Sequence, residues 1–138
     1  MIGNHRIIID TNLWISFLLT KQFDFLDELI HKKKITLVFS EELLTEFVVV
    51  CQRPKLRKYF SSKDVENLLN IIDEYALFVS VVSEVVLCRD AKDNFLLALA
   101  KDSRAHYLLT GDNDLLVLKE FENTKIITIA EYQSITNK

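Results

Sequence analysis

Arg6-Ile7-Ile8-Ile9-Asp10-Thr11-Asn12 places three consecutive isoleucines directly before an acid. A β-branched run of this kind is typical of a buried central strand in a parallel sheet. In open parallel α/β sheets, ligand sites form beyond the carboxyl ends of the strands. If residues 7–9 form such a strand, Asp10 lies where a ligand site is expected, and the rest of the chain should supply partners for it.

The length and composition favour one domain that spans residues 1–138. A chain of 138 residues buries roughly two-thirds of its unfolded surface, which is enough for a hydrophobic core. Hydrophobic residues make up 49% of the chain, with only two glycines and one proline. This composition indicates dense regular structure and argues against disorder.

The expected compartment is the cytoplasm. Cys51 and Cys88 lie far apart in sequence and are interpreted as buried free thiols. Asp10 and Asn12 interrupt the apolar stretch near the N-terminus, which therefore lacks the pattern of a signal peptide. No apolar run approaches the length of a membrane span, so no membrane association is expected.

The net charge of −3, from 17 basic and 20 acidic residues, argues mildly against nucleic-acid binding by phosphate neutralisation alone. That argument weakens if several of the acids hold divalent cations, because a bound metal reverses the local charge. A metal-dependent enzyme acting on nucleic acid therefore stays compatible with the charge.

Hydrophobic periodicity predicts strands that alternate with helices. The predicted strands cover residues 7–9, 35–39, 77–82, 106–109 and 125–129, and the main predicted helices cover residues 25–30, 41–51, 65–76, 93–102, 115–119 and 130–135. Strands separated by helices, with apolar cores rather than strict alternation, indicate a parallel sheet connected by right-handed crossovers. The predicted fold class is α/β, as a three-layer α/β/α domain.

Glu46 is an acid in an apolar setting. Its neighbours three and four positions away on the predicted helix are Leu43, Val49 and Val50, so the helix is predicted to be buried on more than one side. A carboxylate held there destabilises the fold unless it is paired or bound to a metal. The nearby sequence offers no basic partner, which favours a functional role.

Other acids follow strands or precede helices. Asp90 and Asp93 precede an apolar helix, and either one can be its N-cap. Asp112 and Asp114 follow the fourth predicted strand, and one of them can cap the next helix. Asp10, taken alone, is explained equally well as a helix cap. Only one acid of the pair Asp90 and Asp93, and one of the pair Asp112 and Asp114, can be the N-cap, so the other acid of each pair has no capping role.

In the predicted sheet, Asp10, Glu46, Asp93 and Asp112 converge at the carboxyl edge. Four carboxylates in contact raise one another's pKa and destabilise the fold unless a cation lies among them. Mg²⁺ or Mn²⁺ is favoured, because hard divalent cations take oxygen ligands. Zinc is not favoured, since the three histidines lack ligand spacing and the two cysteines are not paired.

Four motifs follow one another along the chain: Ile8-Ile9-Asp10-Thr11-Asn12, residues 40–46, Arg89-Asp90-Ala91-Lys92-Asp93-Asn94-Phe95-Leu96 and Leu109-Thr110-Gly111-Asp112-Asn113-Asp114-Leu115. Each motif is weak alone, but the ordered set at this length is specific. In this set the chain resembles the PIN-domain nucleases over nearly its whole length. The similarity is greatest to a bacterial group related to the VapC ribonucleases, the toxins of toxin–antitoxin pairs.

The resemblance implies roles for the acids and their neighbours. Asp10, Glu46, Asp93 and Asp112 would form a catalytic quartet around Mg²⁺ or Mn²⁺, and Asp114 would be a further metal ligand. The implied supporting residues are Asn12, Thr110 and Asp90. The resemblance also implies a five-stranded parallel sheet of order 3-2-1-4-5, a cognate antitoxin and a homodimer.

The implied reaction is the hydrolysis of RNA phosphodiester bonds, which needs no nucleophilic side chain when metal is bound. The candidate RNA contacts are four basic residues near the single proline: Arg53, Lys55, Arg57 and Lys58. Tyr59 or Phe60 is available to stack on a base. The lysines at positions 32–34 are more simply explained as a solvated helix C-terminus.

Three alternatives were weighed against this interpretation. A phosphatase of the haloacid dehalogenase type needs a second aspartate two residues after the first, where this chain has Asn12. A phosphoacceptor receiver domain needs an acid at the end of the third strand, where Val81-Val82-Ser83 stand. A PIN-like protein that binds RNA or a partner without cleaving it stays open, because a sequence does not show metal occupancy.

Overall fold

The structure is a computed structural model that describes residues 4–20, 28, 32, 34–59 and 61–136. Its elements, in chain order, are β1 His5–Ile9, α1 Thr11–Thr20, β2 Ile35–Phe39, α2 Glu41–Cys51, α3 Pro54–Arg57, α4 Ser62–Tyr75, β3 Leu77–Phe78, α5 Ala91–Ser103, β4 Tyr107–Leu109, α6 Asn113–Leu116, β5 Glu120–Phe121, β6 Thr124–Ile127 and α7 Ile129–Thr136. The predicted helix 25–30 lies outside the described residues except for Glu28.

The sheet has the order β3-β2-β1-β4-β6-β5. All neighbouring strands are parallel except β5, which pairs antiparallel with β6. The predicted order is confirmed, with β6 in the place of the predicted fifth strand. The predicted number of five strands is wrong, because the short hairpin of β5 and β6 adds a sixth strand at one edge.

The hairpin has only a weak sequence signal. Its turn consists of Glu122 and Asn123, and Asn123 is the only residue there that is typical of turns. Glu122 and Lys119, which directly precedes β5, adopt left-handed φ angles of 53° and 63°, a conformation that glycine or asparagine normally supplies. The predicted helix 115–119 correspondingly ends early, at Leu116.

Both faces of the sheet are covered. Ile7, Ile8 and Ile9 are almost completely buried, and successive residues of a strand point to opposite faces. A strand with three consecutive buried residues therefore has helices packed on each side, and the predicted three-layer α/β/α class is confirmed. The core includes Phe47 of α2 and Leu97 of α5.

No helix in the described part of the chain is long and apolar enough to cross a membrane. Both cysteines are free thiols. Cys51 is buried as predicted, whereas Cys88 is partly exposed.

The third strand is shorter than predicted. Only Leu77 and Phe78 pair with β2, and residues 79–90 continue as an irregular segment. Side chains of α5 hold this segment. The Asp102 carboxylate accepts hydrogen bonds from the backbone N–H groups of Val82 and Ser83 and from the Ser83 hydroxyl.

Asn94 makes the second attachment of this segment to α5. Its Oδ1 accepts hydrogen bonds from the backbone N–H groups of Leu87 (3.1 Å) and Cys88 (2.8 Å), and its Nδ2 donates to the Cys88 carbonyl oxygen (3.0 Å). One amide side chain thus replaces the strand partners that the segment lacks. This attachment fixes the backbone directly before Arg89 and Asp90.

Asn94→Ala is expected to lower the free energy of unfolding by about 1–3 kcal/mol, because it leaves three backbone groups without partners. Urea unfolding measures this loss, and amide exchange should accelerate at Leu87 and Cys88. The matched control is Asn70→Ala, since Asn70 is an exposed residue of helix α4. Equal effects of the two substitutions would contradict the attachment.

Candidate metal centre

Asp10 lies at the carboxyl end of β1. Its backbone N–H donates to the Leu109 carbonyl oxygen (3.0 Å), which extends the pairing of β1 with β4 by one residue. The side chain is buried, and its Oδ2 accepts a hydrogen bond from the Thr110 hydroxyl (2.8 Å). Burial raises the pKa of Asp10, and the charges of Glu46 and Asp112 raise it further.

Thr110 joins two of the predicted site residues. While its hydroxyl donates to Asp10, its Oγ1 accepts a hydrogen bond from the backbone N–H of Asp112 (3.0 Å). The hydroxyl therefore orients the Asp10 carboxylate and the turn after β4 together. Asn12 is an exposed residue, and its backbone N–H favours the charged form of Asp10.

Asp93, Asp112 and Asp114 form the tightest group of acids in the described part of the chain. One carboxylate oxygen from each residue lies within 4.8 Å of the other two. Asp93 is only 4% exposed, and its buried Oδ2 finds no hydrogen-bond donor among the described residues. This oxygen is the observation at the site that most calls for a cation.

The capping question is answered at both helices. Asp90 is the N-cap of α5 and accepts a hydrogen bond from the backbone N–H of Lys92 (2.9 Å). Asp93 is therefore not the cap and can serve another role. Asp112 is the N-cap of α6 and accepts from the backbone N–H of Asp114 (2.9 Å), so Asp114 is the acid of its pair without a capping role.

Glu46 has a partner that the sequence did not reveal. The Lys92 Nζ lies 2.9 Å from the Glu46 Oε1, and both side chains are partly exposed. The sequence near Glu46 offers no basic partner, but α5 supplies one, so the lack of a local partner does not by itself argue for a functional role. The charge of Glu46 still acts on Asp10. Glu46 and Asp10 thus flank the group of three acids without belonging to it.

A sequence signal for Lys92 does exist. Lys92 occupies the first turn of α5, where the helix dipole disfavours a cation. A lysine at this position needs a compensating anion, and Glu46 provides it. The pKa of Lys92 is raised chiefly by its contact with Glu46 and also by the charges of Asp10 and Asp90.

Two apolar residues differ from their predicted environment. Val49 was expected in a helix buried on more than one side, yet it is 53% exposed. Phe95 lies in an apolar run of α5 and is 58% exposed, whereas Leu96–Ala100 are buried. Both residues line an open cleft of about 610 Å³ together with Glu46 and Lys92.

The four predicted RNA contacts are exposed, but only Arg53 lines the cleft beside Glu46. Lys55, Arg57 and Lys58 lie on or directly after α3, outside the cleft lining. Arg89 extends toward the acids, with its Nη2 3.6 Å from the Asp114 Oδ1. Phe60, one candidate for base stacking, lies outside the described residues, as do Lys33 and His31.

Residues 6–114 match the PIN domain family. Uncharacterized protein MJ1680 of Methanocaldococcus jannaschii is 32% identical over 119 residues, which cover 83% of this chain and 76% of the relative. PAE2754 from Pyrobaculum aerophilum has a TM-score of 0.63 at 12% identity, covering 98% of this chain and 91% of that chain. VapBC2 from Rickettsia felis, solved bound to a DNA fragment from their promoter, has a TM-score of 0.57 at 14% identity, covering 88% and 96%. At these identities the two solved structures establish a shared fold alone.

The acids make the metal-free protein sensitive to pH. Burial, followed by the charges of Asp112, Asp90 and Asp10, raises the pKa of Asp93 to about 6. A carboxyl whose pKa is raised in the folded state stabilises the fold below its unfolded pKa, and that stability is lost as the pH rises through the folded pKa. We therefore expect Asp93 to destabilise the metal-free protein at neutral pH.

In buffer with a chelator, Asp93→Asn should gain stability relative to the wild type by up to roughly 3 kcal/mol between pH 4 and pH 7. Urea unfolding at several pH values measures the difference. Asp73→Asn, at an exposed helical aspartate, is the matched control and should show no such trend. A stability difference for Asp93→Asn that does not change with pH would contradict the assignment.

Proposed function

Because the chain belongs to the PIN domain family, whose members are generally nucleases, we propose that it is a metal-dependent endoribonuclease. It hydrolyses RNA phosphodiester bonds and acts as the toxin of a toxin–antitoxin pair. The observation that carries the proposal is the buried Asp93 Oδ2 without a hydrogen-bond partner, beside the oxygens of Asp112 and Asp114. The resemblance to VapC-related PIN nucleases is confirmed at the level of family and fold.

The donor set fits Mg²⁺ or Mn²⁺. Every side-chain donor in the group of three acids is a carboxylate oxygen, which is the ligand type that these cations prefer. Burial, together with the charges of neighbouring acids, raises the pKa of Asp93 and of Asp10, so a cation among these carboxylates would stabilise their charged forms. Asp93, Asp112 and Asp114 would hold the cation, with Asp10 and Glu46 acting from the flanks of the group.

A cation held by these acids would supply an activated water and would neutralise the charge that develops on the phosphate. The chain supplies the positioning. Thr110 holds the Asp10 carboxylate through its hydroxyl, and Asp90 caps α5 so that Asp93 lies in the first turn of that helix. Lys92 keeps Glu46 directed toward the site.

The proposed partners follow from the family. VapBC2 from Rickettsia felis was solved bound to a DNA fragment from their promoter. Together with the resemblance of this chain to the VapC toxins, this supports a cognate antitoxin as its partner. A homodimer in the cytoplasm, acting on RNA, completes the proposal. Arg53 is the proposed RNA contact nearest to the acids, since it lines the same cleft as Glu46.

A second candidate function is that of a PIN-like protein that binds RNA or a partner without cleaving it. The ion pair between Lys92 and Glu46 favours this alternative, because it neutralises one of the four quartet members. The unpartnered Asp93 oxygen opposes it, because a binding protein gains nothing from a buried unpaired carboxylate. Cleavage assays separate the two candidates.

Asp10→Asn is expected to reduce Mn²⁺- or Mg²⁺-dependent RNA cleavage by roughly 100-fold or more, because metal-ion stabilisation of the transition state is worth several kcal/mol. The fold should persist, since the asparagine oxygen still accepts the hydrogen bond from Thr110. Cleavage of a labelled RNA is the measurement, with circular dichroism as the check on folding.

Asp73→Asn is the control and should cleave like the wild type. Expression of the wild type should arrest bacterial growth, whereas expression of Asp10→Asn should not. Equal cleavage by the wild type and Asp10→Asn would sink the nuclease proposal. Cleavage of RNA without growth arrest would support the nuclease activity and contradict the toxin role.

Metal binding is expected to compete with Lys92 for Glu46. Lys92→Gln removes the ammonium 2.9 Å from the Glu46 Oε1, so the metal-free protein should melt at a lower temperature. Millimolar Mn²⁺ should raise the melting temperature of the wild type and should raise that of Lys92→Gln by more, because a tighter ligand stabilises more by mass action.

Lys101→Gln is the matched control, because Lys101 is an exposed lysine at the other end of α5. Its metal-induced shift should equal that of the wild type. The competition is refuted if Lys92→Gln shows the same shift as Lys101→Gln. The absence of any shift in the wild type would refute the metal site itself.

A further inference from the structure

We infer that the cleft between α2 and α5 binds one unpaired nucleotide of an RNA strand next to the acids, with the base stacked on Phe95. This inference rests on the proposed ribonuclease function and names a substrate subsite for it. The cleft has a volume of about 610 Å³. That volume lies within the range of roughly 300–1,000 Å³ typical of small-ligand sites.

The position of the cleft connects it to the candidate metal centre. One wall carries Glu46 and Val49 of α2, and the other carries Lys92 and Phe95 of α5. Glu46 and Lys92 are themselves in contact across the cleft. The charge of Glu46 raises the pKa of Asp10, and the charge of Asp10 raises the pKa of Lys92, so the cleft lies close to Asp10. A strand whose phosphate reaches Asp10 therefore has its neighbouring nucleotide within reach of this cleft.

The exposed apolar walls need an occupant of matching shape. Val49 and Phe95 lie on facing walls, more than half exposed to solvent. A planar base that stacks on an exposed phenylalanine buries both apolar surfaces, and such stacking is tolerant of sequence. A base within a duplex is already stacked and paired, so only a single-stranded or looped nucleotide fits.

The lining of the cleft carries two basic and three acidic side chains, which suits a nucleotide better than an apolar peptide. Arg53 lies just beyond the C-terminus of α2, and Lys92 lies three residues before Phe95 on α5. Arg53 is available to a phosphate beside the stacked base, and Lys92 becomes available to another once a metal ion has displaced it from Glu46. Glu41 and Glu42, at the opposite end of α2, can accept hydrogen bonds from exocyclic amino groups of the base.

A second cleft, of about 470 Å³, makes a useful contrast. Phe95 borders it as well, opposite the segment 81–86. Its lining contains Glu42 and Glu84 but no lysine or arginine. The same aromatic ring therefore lies beside one cleft that carries cations and one that carries none among the described residues, and this difference favours the first cleft for the phosphates of RNA.

The test measures binding apart from cleavage. A fluorescently labelled single-stranded octaribonucleotide is titrated with Asp10→Asn protein in Mg²⁺, and its anisotropy gives the Kd. Phe95→Leu on that background should weaken binding roughly tenfold, since stacking on an aromatic residue is worth about 1–3 kcal/mol per base. Phe95→Tyr should bind within about twofold of the parent, because the stacking face is kept.

Phe78→Leu is the matched control: it makes the same change at another exposed phenylalanine that does not line the cleft. Replacing single bases by abasic residues along the oligonucleotide should reveal one position at which the parent and Phe95→Leu bind equally. A fully paired duplex of the same sequence should show no dependence on Phe95.

The inference is overturned if Phe95→Leu binds like Phe78→Leu, or if every abasic position leaves the effect of Phe95→Leu intact. In either outcome the cleft is not a nucleotide site and is left to a protein partner. Dependence of binding on Phe95 without cleavage by the wild type would keep the subsite and reject the nuclease. Cleavage by the wild type, with RNA binding that does not depend on Phe95, would keep the nuclease and reject the subsite.

Discussion

The pairing of β1 with β4 is the constraint on which the candidate site depends. In this parallel pair Ile9 lies opposite Leu109, and the Asp10 N–H donates to the Leu109 carbonyl oxygen. Thr110 is thereby placed so that its hydroxyl reaches the Asp10 carboxylate. A shift of the register by one residue would turn every side chain of β1 to the opposite face. Because all three buried residues are isoleucines, the shift is opposed chiefly by the charges that flank them, since it would draw Arg6 or Asp10 into the core.

The site formed in this way is short of positive charge. Arg89 lies near Asp114, but both side chains are exposed, and such a pair stabilises little. The Lys92 ammonium is already paired with the Glu46 carboxylate. One buried oxygen of Asp93 has no hydrogen-bond donor among the described residues. A fold selected for stability alone would not keep that arrangement, because local rules of this kind are broken chiefly at functional sites. The deficit of charge is thus the strongest internal argument for a cation.

The positions of the acids could be predicted from the sequence, but their contacts could not. Asp10 and Asp112 follow strands, and the topology of a parallel sheet places strand ends at one edge. The choice of Asp90 as the cap over Asp93 depends on one backbone hydrogen bond. The partnership of Glu46 with Lys92 joins two helices that are distant in sequence. Hydrophobic periodicity carries no information about such contacts, since it reports only which faces are apolar.

Hydrophobic periodicity also fails to predict how far Val49 and Phe95 are exposed. Their helices carry apolar residues on more than one face, and the pattern predicts burial. In the structure one apolar face of each helix packs on the core, and the other forms a wall of the cleft beside Glu46. The apolar neighbours that marked Glu46 as unusual in the sequence are therefore partly surface residues. The proposal that Glu46 is functional therefore needs a reason other than burial: Glu46 is partly exposed and lies between the group of acids and the cleft that Val49 and Phe95 line.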